Sequence, residues 1–291
     1  MPRRIDFTVT PEYNNRKVAG FLHESARLSS RLLRSLKRSE NGIMLNGKRA
    51  YTADLLKTGD RLSIELPDEE PTVVPEKLPL DILYEDEDVL VVNKSPFMAM
   101  HPTHNHLGGT LANAVMWHIG QKNTMALFRA VGRLDKGTSG VAVCALNRFA
   151  ASALADTIKK EYLAVVPGAF TGSGTIDAPL SRPDPMKTLR TCGGAGEKAV
   201  THWTALGTDG KISLLRVTLE TGRTHQIRVH FAYLGAPLIG DDMYGGSMPE
   251  LGHHLLHCYK AGFAHPVSGE YLSLTAPMPA DMARIAGRIV L

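Results

Sequence analysis

Leucines at 28, 32, 33 and 36 fall at helical spacing, and arginines at 27, 31, 34 and 38 recur every three or four residues beside them. The pattern predicts a helix over residues 27–38 with an apolar stripe and a cationic stripe, and Ser29 or Ser30 as its N-cap. Residues 42–48 (GIMLNGK) then read as a short strand entering an Asn46-Gly47 turn, a strong hairpin signal. Residues 54–66 (DLLKTGDRLSIEL) add a Gly59-Asp60 turn and a strand in which Leu62, Ile64 and Leu66 alternate. One basic helix over a small curled sheet is the local picture for residues 1–66. Prolines at 67, 71, 75 and 79, among acidic residues, disfavour helix and central strand, so 67–79 is expected to be an extended, Pro-rich linker.

Residues 80–291 are expected to form one larger body. Strand-like runs occur at 89–92, 141–144, 162–166 and 212–219, with helical stretches at 147–159 and 226–234. In the last of these, Ile227, His230, Phe231 and Leu234 are expected to share a face. The strands cluster irregularly rather than alternating with helices, so the pattern predicts an α+β fold rather than a doubly wound sheet.

Composition changes this picture only through its distribution. The 291-residue chain carries +4, but residues 1–66 hold 13 Lys and Arg against 7 Asp and Glu, or +6; the remainder (33 less 13 against 29 less 7) is −2. A basic module beside a near-neutral body suits electrostatic docking on a polyanion, with chemistry done elsewhere; a solvated basic surface is the plainer alternative. No apolar run reaches the roughly 18–20 residues of a membrane span, and no apolar signal segment follows Met1, so no membrane role is expected. Cys144, Cys192 and Cys258 are dispersed and odd in number, which excludes a complete disulfide framework and any CxxC metal pattern. A reducing cytoplasm is the expected compartment.

The segment with most chemical content is 132–140 (GRLDKGTSG). Asp135 stands between Arg133 and Lys136 in a glycine-rich turn, where the charges and the Thr138, Ser139 and backbone donors should hold it ionised. Such a carboxylate can act as a nucleophile; a turn aspartate satisfying local N–H groups is the bland reading.

This segment resembles the signature of RluA-type RNA pseudouridine synthases, H-R-L-D-x-x-T-S-G, with Gly132 in the place of the histidine. The resemblance puts the catalytic aspartate on Asp135, and on Arg133 the arginine that fills the space of an extruded base. Residues 159–168 (KKEYLAVVPG) resemble the family's strand with an active-site tyrosine, here Tyr162, which stacks on the base and is a candidate for taking its proton. Residues 221–230 (TGRTHQIRVH), running on to Gly240, Asp241 and Tyr244-Gly245, resemble its longest motif and put on Arg223 the arginine that pairs with the aspartate. Segments 94–110, 255–266 and 276–279 agree with the family's flanks, so the likeness spans the chain. Residues 27–66 resemble the small alpha-L (S-four-type) RNA-binding domain, whose RNA-contacting helix falls on Arg27, Arg31, Arg34 and Arg38. The resemblance implies a mixed, mainly antiparallel sheet flanked by helices and loops, a cofactor- and metal-free isomerase, and ribosomal or transfer RNA as partner. It implies no obligate protein partner.

Three other readings compete. His101, His104 and His106, with His253, His254 and His257, faintly resemble a metal-dependent hydrolase, although Pro102 interrupts and no HxHxDH pattern is present. A non-catalytic RNA-binding protein would use the basic module alone. An N-glycosidase would pair Asp135 with Asp241 or Asp242 and release free uracil.

Overall fold

The computed structural model describes residues 3–103, 107–122, 126–155, 157–287 and 289. Near the N-terminus β1 (Arg4–Thr8) precedes helices α1 (Val18–Glu24) and α2 (Ser30–Leu36) and strands β2 (Ile43–Leu45), β3 (Lys48–Arg49) and β4 (Arg61–Glu65). The four strands form one sheet in the order β1-β4-β2-β3. Helix α2 starts where its cap predicts: the Leu32 amide donates to Ser29 Oγ at 3.2 Å. Leu28, Leu32, Leu33 and Leu36 are buried with Ile5, Phe21, Leu62 and Ile64, while Arg31, Arg34 and Arg38 face solvent. Arg27 lies outside the helix at φ +52°, so the cationic stripe begins in a turn. Asn46 and Gly47, both at positive φ, close a two-residue hairpin in which Leu45 faces Lys48.

Residues 67–79 have no regular secondary structure, as the prolines predict. They are nonetheless moored to the body. Glu69 pairs with Arg129 and Arg148 at 2.6 and 2.7 Å, and Glu76 accepts from the Gly109 amide at 2.7 Å.

The body contains β5 (Ile82–Glu85), β6 (Val89–Lys94), α3 (Leu111–Gly120), β7 (Arg129–Val131), β8 (Ser139–Ala145), α4 (Arg148–Leu154), β9 (Lys159–Pro167), β10 (Ser173–Asp177), β11 (Leu180–Ser181) and β12 (Thr191–Cys192). It continues through β13 (Val200–Thr208), β14 (Ile212–Leu219), α5 (Gln226–Tyr233), β15 (Leu256–Ala264), β16 (Tyr271–Thr275) and α6 (Ala280–Ala286). A large sheet runs β10-β13-β14-β9-β15-β8-β6-β5, with β16 added on β15 and β7 on β8; β11 and β12 form a separate pair. Within that sheet every ladder is antiparallel except β15 with β8. The fold is α+β with a mixed, mainly antiparallel sheet. All seven residues of β8 are buried, and their packing against β6, α3 and β15 fixes the strand that the Asp135 turn enters.

Two element boundaries differ from the sequence reading. Helix α4 stops at Leu154 rather than reaching Lys159, where β9 already begins. The β-branched Thr157 and Ile158 and the alternation that follows favour strand there. Leu234 is 46% exposed rather than on the buried face of α5, because the helix ends and the chain turns at Gly235, φ +74°. Among the described residues no helix is long and apolar enough to cross a membrane.

Candidate active site

Asp135 sits in the turn joining β7 to β8, where the Thr138 amide closes onto the Asp135 carbonyl at 3.1 Å. Its side chain is 26% exposed, on the wall of a cavity of about 950 Å³ that Arg133, Lys136, Arg223, His225 and Arg228 also line. A small inner recess beside it reaches Tyr162, Leu219 and Ile227. Two lysines hold the turn at its ends. Lys160 Nζ donates to the Gly132 carbonyl. Lys94 Nζ donates to the carbonyls of Ser95, Met98 and Lys136 at 2.8, 2.8 and 3.2 Å. Burial pulls the Lys94 ammonium down to about 7, against the attraction of Asp135.

Gly132, the departure from the family signature, has φ +65°. A Cβ there would stand 3.2 Å from Lys160 Nζ, so both backbone and space favour glycine at this position. Gly137 is equally constrained: a Cβ would meet the His254 ring at 2.7 Å.

The charge partner of Asp135 is not Arg223. Arg228 Nη1 lies 3.3 Å from Asp135 Oδ2, while Arg228 Nε and Nη2 grip Asp241 bidentately at 2.7 and 2.8 Å. The Arg228 and Asp241 side chains are 7% and 0% exposed. Burial opposes the Arg228 charge, but Asp241 and then Asp135 outweigh it and raise its pKa. The guanidinium also lies over the Tyr244 ring, 5.0 Å from its centroid. Arg223 instead points along the cavity rim to Glu197 at 3.2 Å and the Lys198 carbonyl. The cause is helix geometry. Arg223 precedes α5, whereas Arg228 stands about 60° from the buried Phe231 around the helix, near enough to reach inward.

His225 completes the cluster from a left-handed backbone, φ +59°. The Tyr244 hydroxyl accepts from the Arg190 amide at 3.1 Å and lies 2.9 Å from His225 Nδ1, to which its own proton is free to point. With that bond the neutral His225 ring carries its proton on Nε2, 3.9 Å from Asp135 Oδ2. Burial lowers the His225 pKa, which favours the neutral ring. Asp135 therefore has one long guanidinium contact at 3.3 Å and an imidazole nitrogen at 3.9 Å, beyond hydrogen-bond reach.

Thr138 and Ser139 do not serve the carboxylate as expected. Their hydroxyls bond His254 Nε2 at 2.8 Å and His257 Nδ1 at 2.9 Å. Arg133 is exposed on the outer cavity, and among the described residues neither it nor Lys136 pairs with Asp135. Tyr162, on β9 between Val217 of β14 and Cys258 of β15, is 7% exposed. Burial, and after it the charges of Cys258 and Asp135, push its phenol well above 10. Tyr162 is thus a neutral ring beside Asp135.

The histidines of the hydrolase reading are dispersed. His104 and His106 lie outside the described residues, and His101 packs on Phe128 with centroids 5.1 Å apart. His253 is 2.7 Å from Asp281, and His254 and His257 are bonded as above. Among the described residues one group has the spacing of a metal site, Asp86, Asp88 and His265. Its chemistry does not fit a cation. The His265 Nδ1 accepts from the Val267 and Ser268 amides, so Nε2 must carry the proton and cannot be a ligand. Asp88 is already taken by Arg3 at 2.6 Å.

Comparison with known proteins agrees on one family. A family model described as RNA pseudouridylate synthase matches residues 88–233, the span that carries Asp135, Tyr162 and Arg228. The chain is 40% identical over 266 residues to the uncharacterized RNA pseudouridine synthase YjbO of Bacillus subtilis, covering 89% of this chain and 94% of that one. It is 38% identical over 264 residues to the ribosomal large subunit pseudouridine synthase D of Xanthomonas campestris, covering 83% and 79%. In fold it is similar to the human RNA pseudouridylate synthase domain containing 1, with TM-score 0.57, 24% identity and coverage of 76% and 91%.

Proposed function

Because this chain belongs to the RluA-type RNA pseudouridylate synthase family, we propose that Asp135 is its nucleophile, with Arg228 and Tyr162 as its partners. The protein is an isomerase that converts uridine in RNA to pseudouridine. The reaction breaks the C1′–N1 bond, forms C1′–C5, removes the proton from C5 and returns one to N1. Substrate and product are isomers, so the chemistry calls for no redox cofactor, metal or second substrate. The uridine must leave the RNA stack to enter the cavity, at a cost of roughly a few kcal/mol.

The observation that carries the assignment is the Asp135–Arg228–Asp241 cluster on the cavity wall. Asp241 takes two of the guanidinium's donors, so Arg228 steadies the Asp135 charge through a single 3.3 Å contact without quenching it. A carboxylate in that condition can attack the sugar or the base, or take a proton from the sugar toward a glycal-type intermediate. Tyr162 stacks on the uracil. A phenol held neutral by burial is a weak base, so its role here is stacking rather than capture of the C5 proton. Arg133, exposed beside Asp135, fills the place of the extruded base. Arg223 meets RNA phosphate at the rim instead of serving the nucleophile.

Large-subunit ribosomal RNA is the proposed substrate, supported by the name of the Xanthomonas relative. Residues 1–66 serve as the docking module through Arg27, Arg31, Arg34 and Arg38, supported by their exposure and the +6 charge of that segment. The three cysteines are free, which accords with a cytoplasmic location. In the N-glycosidase alternative Asp241 is locked to Arg228 and 0% exposed, which leaves Asp242, exposed on the same cavity, as the acid/base to exclude. Nucleoside analysis of RNA incubated with the protein tests the reading. Pseudouridine without free uracil is expected, and none from Asp135→Ala; free uracil would establish hydrolysis instead.

A further inference from the structure

The geometry points to a second base-binding position at the mouth of the catalytic cavity, where Phe97 is the stacking platform for a nucleobase next to the target uridine. This rests on the isomerase reading, since it requires an RNA strand entering that cavity.

Phe97 follows β6 and is 63% exposed. A lone exposed phenylalanine is ordinary in a soluble protein; the way this one is held is not. Its ring lies edge-to-face with His253, centroids 5.3 Å apart and planes at 90°. It also rides against the backbone at Gly252, where an added Cβ would stand 3.6 Å from the ring. The His253 side chain is 3% exposed and braced on both nitrogens, 2.7 Å from Asp281 Oδ2 and 3.0 Å from the His254 carbonyl. Asp281 lies in the first turn of α6, so a buried polar chain from that helix ends beneath an apolar ring left in water. A fixed aromatic face binds a planar partner with little further loss of side-chain freedom.

Its surroundings identify the partner. Phe97 lines the same cavity as Asp135, together with Arg133, Lys136 and Arg223, which suit an anionic backbone. At about 950 Å³ that cavity is near the upper end of single-ligand pockets and roomier than one uridine requires. Extruding a uridine deprives the adjacent base of its stacking partner, and an aromatic face replaces that partner without regard to base identity. Phe97 thus stabilises the flipped-out state of the RNA through the neighbour rather than through the target.

The test uses the full chain and an RNA stem-loop that the protein modifies, carrying 2-aminopurine on one side of the target uridine or the other. Binding is read in the Asp135→Asn protein, where turnover is silent. The fluorescence of one flanking 2-aminopurine is expected to be quenched, the quenching to vanish with Phe97→Ala or Phe97→Leu, and to return with Phe97→Tyr. In the active protein Phe97→Ala should weaken RNA binding and raise KM by about 5- to 100-fold, with kcat much less affected. Thermal melting of each variant separates this from a folding defect. If Phe97→Ala and Phe97→Leu retained both quenching and KM within twofold while still isomerising uridine, the subsite would be refuted and the isomerase reading left intact. An unsubstituted protein that made no pseudouridine would overturn both.

Discussion

Removing Arg228 and removing Arg223 should have very different consequences. Arg228 and Asp241 are 7% and 0% exposed and joined by two short hydrogen bonds, with a third to Asp135. Arg228→Ala strands a fully buried carboxylate and leaves Asp135 without its guanidinium. Breaking such a buried pair costs about 3–5 kcal/mol, which lowers Tm by roughly 6–20 °C in a chain of this size. Losing the donor at the nucleophile lowers kcat by about 100- to 1,000-fold. The Arg223–Glu197 pair is 40% and 70% exposed, so Arg223→Ala costs at most about 1 kcal/mol and acts chiefly on KM for RNA. Arg228→Lys keeps the charge but cannot grip Asp241 with two N–H groups while reaching Asp135; it should fold and still lose most of kcat. The assay is single-turnover release of tritium from RNA labelled at uridine C5, since isomerisation expels that hydrogen, with a thermal melt beside it. Equal loss of kcat in Arg223→Ala and Arg228→Ala, with Arg228→Lys fully active, would refute this placement of the catalytic arginine.

Asp241→Asn keeps the side-chain volume but removes the charge and one of the clamp's two acceptors, leaving Asp135 as the anion nearest Arg228; kcat should fall about 10- to 100-fold with KM steady, and an unchanged kcat would make the clamp dispensable. His254 is pushed down to about 3, chiefly by burial. As pH falls from the ordinary histidine value of 6.5, the unfolded chain takes up a proton that the folded chain refuses until about 3, so stability drops across that window. Urea unfolding at a series of pH values should show that slope, and His254→Gln should flatten it; an identical slope in the variant would contradict the assignment. Arg31→Ala with Arg34→Ala should weaken RNA binding and reduce the salt slope by about 0.7–0.9 for each phosphate no longer neutralised, without altering single-turnover kcat at saturating protein. An unchanged slope would move the docking surface elsewhere.

Local regularities are legible in the sequence, and distant pairings are not. Helix α2, its Ser29 cap and the Asn46-Gly47 hairpin each depend on residues within a few positions, so spacing alone exposes them. Asp135 and Tyr162 emerge from family order, and the structure brings both to one recess. Arg228 escapes notice because it stands beside the apolar stripe of a short helix, whereas Arg223 follows Gly222 in a turn that looks chemical. The i, i+3 relation of Arg228 to Phe231 is the available sign that it could turn inward. Thr138 and Ser139 look like donors to Asp135 only because their partners, His254 and His257, lie 116 and 118 residues away. The mooring of the linker through Glu69 is invisible for the same reason, since Arg129 is 60 residues further on.

Everything proposed for the cavity depends on Asp135 making this protein a uridine isomerase. The decisive measurement is a carbodiimide-based pseudouridine map of total RNA from cells with the protein, without it, and with Asp135→Ala in its place. One or a few sites, in large-subunit ribosomal RNA, should disappear both in the deletion and in the Asp135→Ala strain. Sites lost in the deletion but retained with Asp135→Ala would contradict the assignment of the nucleophile, and a map unchanged in both would contradict the function.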